Sequence, residues 1–137
     1  MSSVENKEFI RAVFEQMALC NGRALTDAMG DECRWVFPGN WSWSGTWAPK
    51  NVVVHELLRP LMAQFVDGYR MEADLILGDG DRVVVQARGY GITRAGGEYR
   101  QTYCFLFTVV EGRIVEVVEH CDTALVEGLL RRVVRAA

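Results

Sequence analysis

The residues that could do chemistry gather at the end of one stretch, Tyr99 to Thr123, which reads YRQTYCFLFTVVEGRIVEVVEHCDT. Its closing run holds two carboxylates, Glu119 and Asp122, with His120 and Cys121 between them. A carboxylate facing an apolar, aromatic-lined space has its pKa pushed up by desolvation and pulled down by a nearby guanidinium, which poises it for proton transfer. Arg88 is the guanidinium expected beside Glu119; the alternative is a structural ion pair that satisfies two buried charges. Tyr90 and Tyr103 could donate hydrogen bonds to a substrate carbonyl or enolate oxygen, or bond only to each other or to Glu119. Asp122 precedes Thr-Ala-Leu-Val and fits a helix N-cap as well as a catalytic acid. Ser42 and Ser44 have no histidine tied to them by the pattern, so no nucleophile–base pair is visible.

These side chains need elements to position them. Ser2 and Glu5 fit a capping box, and Phe9, Ile10, Val13, Phe14, Met17 and Cys20 follow at helical spacing until Asn21-Gly22. A short helix is expected over Ala24 to Met29, then a brief strand over Cys33 to Phe37. All four tryptophans lie between positions 35 and 47, in a Gly-, Asn- and Ser-containing loop that reads as a lid or rim over apolar space or as a packing cluster. Asn51 to Phe65 predicts a helix kinked at Pro60, with His55 a partly exposed member. From Tyr69 the period becomes two, with odd-numbered residues inward and Ile76 as the exception. Further strands are expected over Arg82 to Ile92, Tyr99 to Val109 and Arg113 to Cys121, and a last helix over about Thr123 to Val134.

Turn chemistry carries the inward face from strand to strand, because residues opposite each other across a hairpin share a face. Type I′ turns at Asp79-Gly80 and Gly96-Gly97 place Met71 opposite Arg88, and Tyr90 opposite both Tyr69 and Tyr103. A three-residue loop over Val110, Glu111 and Gly112, preferred because glutamate resists the positive φ a two-residue turn requires, then sets Tyr103 opposite Glu119; the alternative two-residue loop would pair Cys104 with Glu119 and turn Tyr103 and Glu119 to opposite sides of the sheet. The inward row becomes Tyr69, Tyr90, Tyr103 and Glu119, with Arg88 one pleat away beside Phe105 and Val117. Backbone spacing between Arg88 and Glu119 is ~9–10 Å, which an arginine side chain can largely bridge. Trp35, Phe37, Trp43, Tyr69, Gln101 and Phe105 are expected to line the ligand space, Gln101 near its rim. The opposite face collects Val85, Ala87, Cys104, Leu106 and Val118, plus His120. A second copy is the simplest cover for such an apolar face, so a homodimer is expected.

The totals narrow the classes. At 137 residues, half of them hydrophobic, residues 1–137 read as a single domain with a real core rather than a disordered chain. A net charge of −3 gives no basic footprint for nucleic acid. No apolar run approaches the ~18 residues of a membrane span, and Met1-Ser-Ser-Val-Glu-Asn opens no signal peptide, so the expected compartment is the cytoplasm and no membrane partner is expected. Cys20, Cys33, Cys104 and Cys121 are scattered without ligand spacing and read as reduced thiols, with no metal site.

A strand ending in Phe37-Pro38-Gly39, a helix, and a four-strand meander closing on Gly112-Arg113-Ile114-Val115-Glu116-Val117-Val118-Glu119-His120-Cys121-Asp122-Thr123 resembles the SnoaL-like, ketosteroid isomerase-like branch of the nuclear transport factor 2-like superfamily. The resemblance covers nearly the whole chain. It implies an α+β fold: a conical barrel of a curved, mainly antiparallel sheet wrapped by N-terminal helices around a cavity, with a short C-terminal helix. It also implies cofactor-independent acid/base chemistry of the cyclase, isomerase or dehydratase kind on an apolar carbonyl compound, or a non-catalytic ligand-binding or dimerisation module. In the superfamily's epoxide hydrolases an Asp-Arg-Asp trio activates water; Glu119 falls at one carboxylate and Arg88 at the arginine, while Tyr90 replaces the second carboxylate, and Trp35 and Phe37 replace the residues that hold the water. In ketosteroid isomerases a carboxylate base precedes the Pro-Gly, where this chain has Phe37. SnoaL-type cyclases use an aspartate near the end of the last strand, the neighbourhood of Asp122.

Overall fold

The computed structural model describes residues 2–133. Helix α1 spans Ser3–Met17 and is capped as its sequence predicts: the Ser2 hydroxyl accepts from the Glu5 N–H while the Glu5 carboxylate accepts from the Ser2 N–H. Helix α2 (Arg23–Ala28) leads into strand β1 (Met29–Phe37), which turns Cys33, Trp35 and Phe37 inward at every second position. The tryptophan-rich loop contains a short strand β2 (Gly45–Trp47) paired with the end of β1. Helix α3 (Lys50–Val52), a π-helical turn (Val53–Leu58) and α4 (Arg59–Met62) then run together. Pro60 has no N–H to give and its ring crowds the preceding turn, so the helix widens there, with the Arg59 N–H reaching back to the Val54 carbonyl.

Strands β3 (Phe65–Asp79), β4 (Arg82–Thr93), β5 (Glu98–Val110) and β6 (Arg113–Cys121) complete a curved, unclosed six-stranded sheet, consistent with a cone, in the order β2-β1-β6-β5-β4-β3. All pairings are antiparallel except β1 with β6. Helix α1 lies against the inner face, where Phe14 packs on Phe105 and Phe107 at ring separations of 6.0 and 5.9 Å. Helix α5 (Thr123–Leu129) is shorter than expected and ends before Leu130; Val134, part of the expected helix, lies outside the described residues.

The turns differ from their predicted forms, and the differences decide which residues face inward. The first hairpin closes on Asp79 opposite Arg82, with Gly80 at φ +60°, two places from the expected pairing sum but on the same parity. A bulge at Asp74, between the Ala73–Ala87 and Leu75–Gln86 pairs, then flips that parity. Odd residues of β3 face inward up to Ala73; beyond the bulge Ile76 takes the buried side, while Leu75 and Leu77 are 44% and 55% exposed. The β4 inward row is therefore Val83, Val85, Ala87 and Gly89, all buried, rather than Arg88 and Tyr90. Met71 pairs with Gly89, Arg88 with Glu72 and Thr102, and Tyr90 with Arg70 and Arg100.

The second turn is a three-residue loop, Arg94-Ala95-Gly96, in which the Thr93 N–H donates to the Gly97 carbonyl and only Gly96, at φ +92°, is left-handed. That second odd step returns Tyr103 to the inward face, opposite Ala87. At the third turn Glu111 does adopt φ +49°, beside Gly112 at +72°, so the loop has two residues and not three. A bulge between Thr108 and Val109 and their partners cancels this slip as well, and Phe105, not Tyr103, stands opposite Glu119. Tyr103 and Glu119 thus share the inward face by two compensating pairs of errors; Arg88 and Tyr90 do not.

Candidate functional site

A pocket of about 640 Å³ lies between the inner sheet face and the helices. Its aromatic walls come from Trp35 and Phe37 on β1, Trp43 in the following loop, Tyr69 on β3, and Tyr103 and Phe105 on β5. Phe37 meets Trp41, Trp43 and Trp47 edge-on at 5.7, 6.1 and 5.4 Å, as the ring quadrupoles favour. The loop is pinned by the Trp41 indole N–H donating to the Pro38 carbonyl at 3.1 Å, and by the Trp41 N–H donating to the Ser44 hydroxyl at 2.8 Å. The tryptophan cluster is thus both a packed group and one wall of the pocket.

Glu119 on β6 enters this pocket with 9% of its surface exposed. No cation pairs with it among the described residues. Burial raises its pKa to about 7, and the Cys121 thiol and Trp35 indole N–H, which reach toward the carboxyl, moderate the rise. Neither closes a hydrogen bond of full geometry, and Trp35 Nε1 is a buried donor awaiting an acceptor. Cys121, two residues on and on the same face, is pushed up by burial and then by the adjacent carboxylate, which keeps it a protonated thiol.

The hydroxyls of Tyr69 and Tyr103 lie 2.5 Å apart. Burial is the chief cause raising both phenols well above the ordinary tyrosine value, and the Glu119 charge adds to it, so both remain O–H donors. Within the pair one O–H is spent on its neighbour; the accepting phenol keeps its own proton for a ligand. Two glycines make room for this arrangement. A Cβ on Gly89 would sit 1.8 Å from the Tyr69 oxygen and 2.9 Å from Tyr103 Cε2, and one on Gly91 would strike Phe65 and Tyr69. Tyr99, 3% exposed, accepts a 2.8 Å bond from Gln101 Nε2.

Several expected site residues stand elsewhere. Arg88 lies on the outer face, its Nε 2.9 Å and 3.1 Å from the two Asp74 carboxylate oxygens and its Nη2 3.4 Å from Glu72, so it neither pairs with nor tunes Glu119. Tyr90 is also outward, with the Arg70 and Arg100 guanidiniums 5.5 and 4.8 Å from its ring centre. Gln101 is inward but fully buried rather than at a rim; it is a clamp, accepting from the Thr102 and Asp122 N–H groups and donating to the Asp122 carbonyl. Asp122 is exposed and caps α5, its Oδ1 accepting from the Leu125 N–H at 3.2 Å. Val85 and Ala87, expected outside, belong to the core, whereas Cys104, Leu106, Val118 and His120 are on the outer face as expected.

Tyr99, Cys121 and the two glycines were missed. The signals were present: Tyr99 and Cys121 stand at even spacing from Tyr103 and Glu119, and Gly89-Tyr90-Gly91 inside a strand marks close approach.

Set against known proteins, the sequence matches the family model described as a SnoaL-like domain over residues 7–117. The chain belongs to the SnoaL-like domain family. No curated protein matches it. An NTF2-like protein of unknown function from Burkholderia pseudomallei superposes with a TM-score of 0.75 at 20% identity, covering 96% of this chain and 100% of the other. A protein described as a SnoaL-like polyketide cyclase from Jannaschia sp. CCS1 gives 0.70 at 18%, covering 93% and 92%, and an LEH-like epoxide hydrolase from M. tuberculosis gives 0.71 at 19%, covering 93% and 90%. At these identities the likeness establishes the fold. The SnoaL-like match stops two residues short of Glu119, so the carboxylate of this SnoaL-like chain stands on its own geometry. With Arg88 on the outer face, the acid–arginine–acid arrangement of the epoxide hydrolases is not assembled around it. Among the described residues no group of three His, Cys, Asp or Glu side chains could hold a metal, and no helix is long and apolar enough to cross a membrane.

Proposed function

We propose that this SnoaL-like protein carries out cofactor-independent acid/base chemistry, of the cyclase, isomerase or dehydratase type, on an apolar carbonyl compound held in the pocket. The observation that carries this reading is a buried carboxylate with no counter-ion among the described residues. Leaving an acid unpaired among aromatic rings costs stability, and a pKa near 7 is where a general base or acid works best. Glu119 takes a proton from carbon next to the substrate carbonyl and returns it elsewhere. The free O–H of the Tyr69–Tyr103 pair donates to the carbonyl oxygen as negative charge develops, while the Trp35 N–H stays directed at the Glu119 carboxyl.

The test needs no knowledge of the natural substrate. A panel of apolar, enolisable ketones is incubated with the protein in heavy water and α-proton exchange is followed by NMR. Wild type should accelerate exchange of those that bind, and Glu119→Gln should not. Ketones that bind without faster exchange would establish the non-catalytic ligand-binding alternative.

We also propose that a second copy covers the outer sheet face. Val36, Val118, Leu106, Val84 and Leu77 are successive cross-strand partners, an aliphatic row across five strands with Leu77 55% exposed. Sedimentation should report a dimer that Leu106→Asp dissociates; a monomeric wild type removes this reading.

A further inference from the structure

The pocket is chemically lopsided. Around Glu119 its polar groups are neutral donors: the phenols of Tyr69, Tyr99 and Tyr103 and the Trp35 indole. The lining residues that are also solvent-exposed mark its rim, and these include Arg23 and Asp27 on α2 and Arg59 at the start of α4. Lys50, half-buried at the start of α3, lines the same pocket. None of the three cations is ion-paired among the described residues. Lys50 Nζ donates to the Met29 carbonyl at 3.2 Å and Arg59 Nη1 lies 2.9 Å from His55 Nδ1, neither partner a carboxylate. On the outer sheet face the reverse holds: Arg34, Arg70, Arg88 and Arg100 each lie within ion-pair distance of a carboxylate. Among the described residues, these four arginines of the outer sheet face are neutralised, whereas the three cations lining the pocket are not.

We infer that the ligand of this pocket is amphipathic: an apolar, ring-bearing body enters toward Glu119, and a carboxylate at its other end stays among Arg23, Lys50 and Arg59. A guanidinium offers paired N–H groups that match a carboxylate, and Asp27 in the same rim favours a singly charged group over a dianion. The inference rests on the pocket being the ligand site, as proposed above, but not on Glu119 being catalytic.

The probes are ω-(2-naphthyl)alkanoic acids of graded chain length and their primary amides, with affinities measured by calorimetry at low and high salt. In the Glu119→Gln background, which removes any repulsion from the buried acid, the best acid should bind about three- to ten-fold tighter than its amide. High salt should abolish the difference, because screening shortens to about 3 Å at 1 M. Arg23→Gln/Lys50→Gln/Arg59→Gln should abolish it too. Equal binding of acid and amide at low salt, or a preference that survives the triple substitution, overturns the rim assignment and leaves the proposed function standing. Failure of both acids and amides to bind removes the rim assignment together with the pocket's role as an apolar-ligand site.

Discussion

Glu119 on β6 and Arg88 on β4 belong to the same sheet, yet they occupy opposite environments. Glu119 faces rings, phenols and a thiol, and burial, moderated by Cys121 and Trp35, lifts its pKa to about 7. Arg88 faces water with 59% of its side chain exposed, clasped by Asp74 and Glu72. One charge is left unneutralised where solvent is scarce; the other is neutralised where solvent already screens it. Since an exposed pair contributes little and an unpaired buried acid costs much, the two sites differ in kind: the first tolerates instability to keep a reactive group, the second is surface.

The sharpest break in that contrast is Glu119→Gln, which preserves shape and removes basicity. On a ketone whose exchange wild type catalyses, kcat should fall about 10²–10⁴-fold, the usual worth of a positioned acid/base group. In wild type kcat/KM should climb with pH through an ionisation near 7 that is missing from the variant. A pH profile unaltered by the substitution would place the chemistry elsewhere.

The same substitution should change stability with the opposite sign. Folded Glu119 keeps its proton up to about pH 7, whereas in the unfolded chain it releases it near the ordinary 4.5. Between those values the folded state binds more protons, so the contribution of Glu119 is fully present below pH 4.5 and is lost as pH rises to 7. The loss amounts to about 3 kcal/mol. Urea unfolding should show wild-type stability falling across this window, and Glu119→Gln more stable than wild type above it.

Gly89→Ala tests what holds the phenols. A methyl group 1.8 Å from the Tyr69 oxygen cannot be accommodated without parting the Tyr69–Tyr103 pair. Overpacking of this kind costs about 1–3 kcal/mol, measurable by chemical denaturation, and should lower kcat more than it weakens ligand binding. The smallest effect belongs to the other side of the comparison. Arg88→Gln should leave kcat/KM and its pH profile unchanged and barely move the thermal midpoint; a large loss of activity would reinstate a role for it at the site.

Much of the fold was legible because it rests on local rules. The Ser2–Glu5 box, the alternation after Tyr69, the Asp122 cap and the closing Gly112-to-Thr123 motif each specify their own geometry, and together they indicate the α+β scaffold and an inward Glu119. Bulges obey no such rule. Whether Asp74 is an extra residue depends on how β3 bends under α1 and against β4, and one unpaired residue moves every later side chain to the other face. Ile76, apolar where a polar residue was due, was the only local hint of it. Sequence therefore determined the acid, its aromatic company and the scaffold that presents them. Tertiary structure alone decided that Arg88 does not join that acid, because side-chain facing in a sheet depends on a count of residues accumulated through every turn and bulge, and distant packing sets that count.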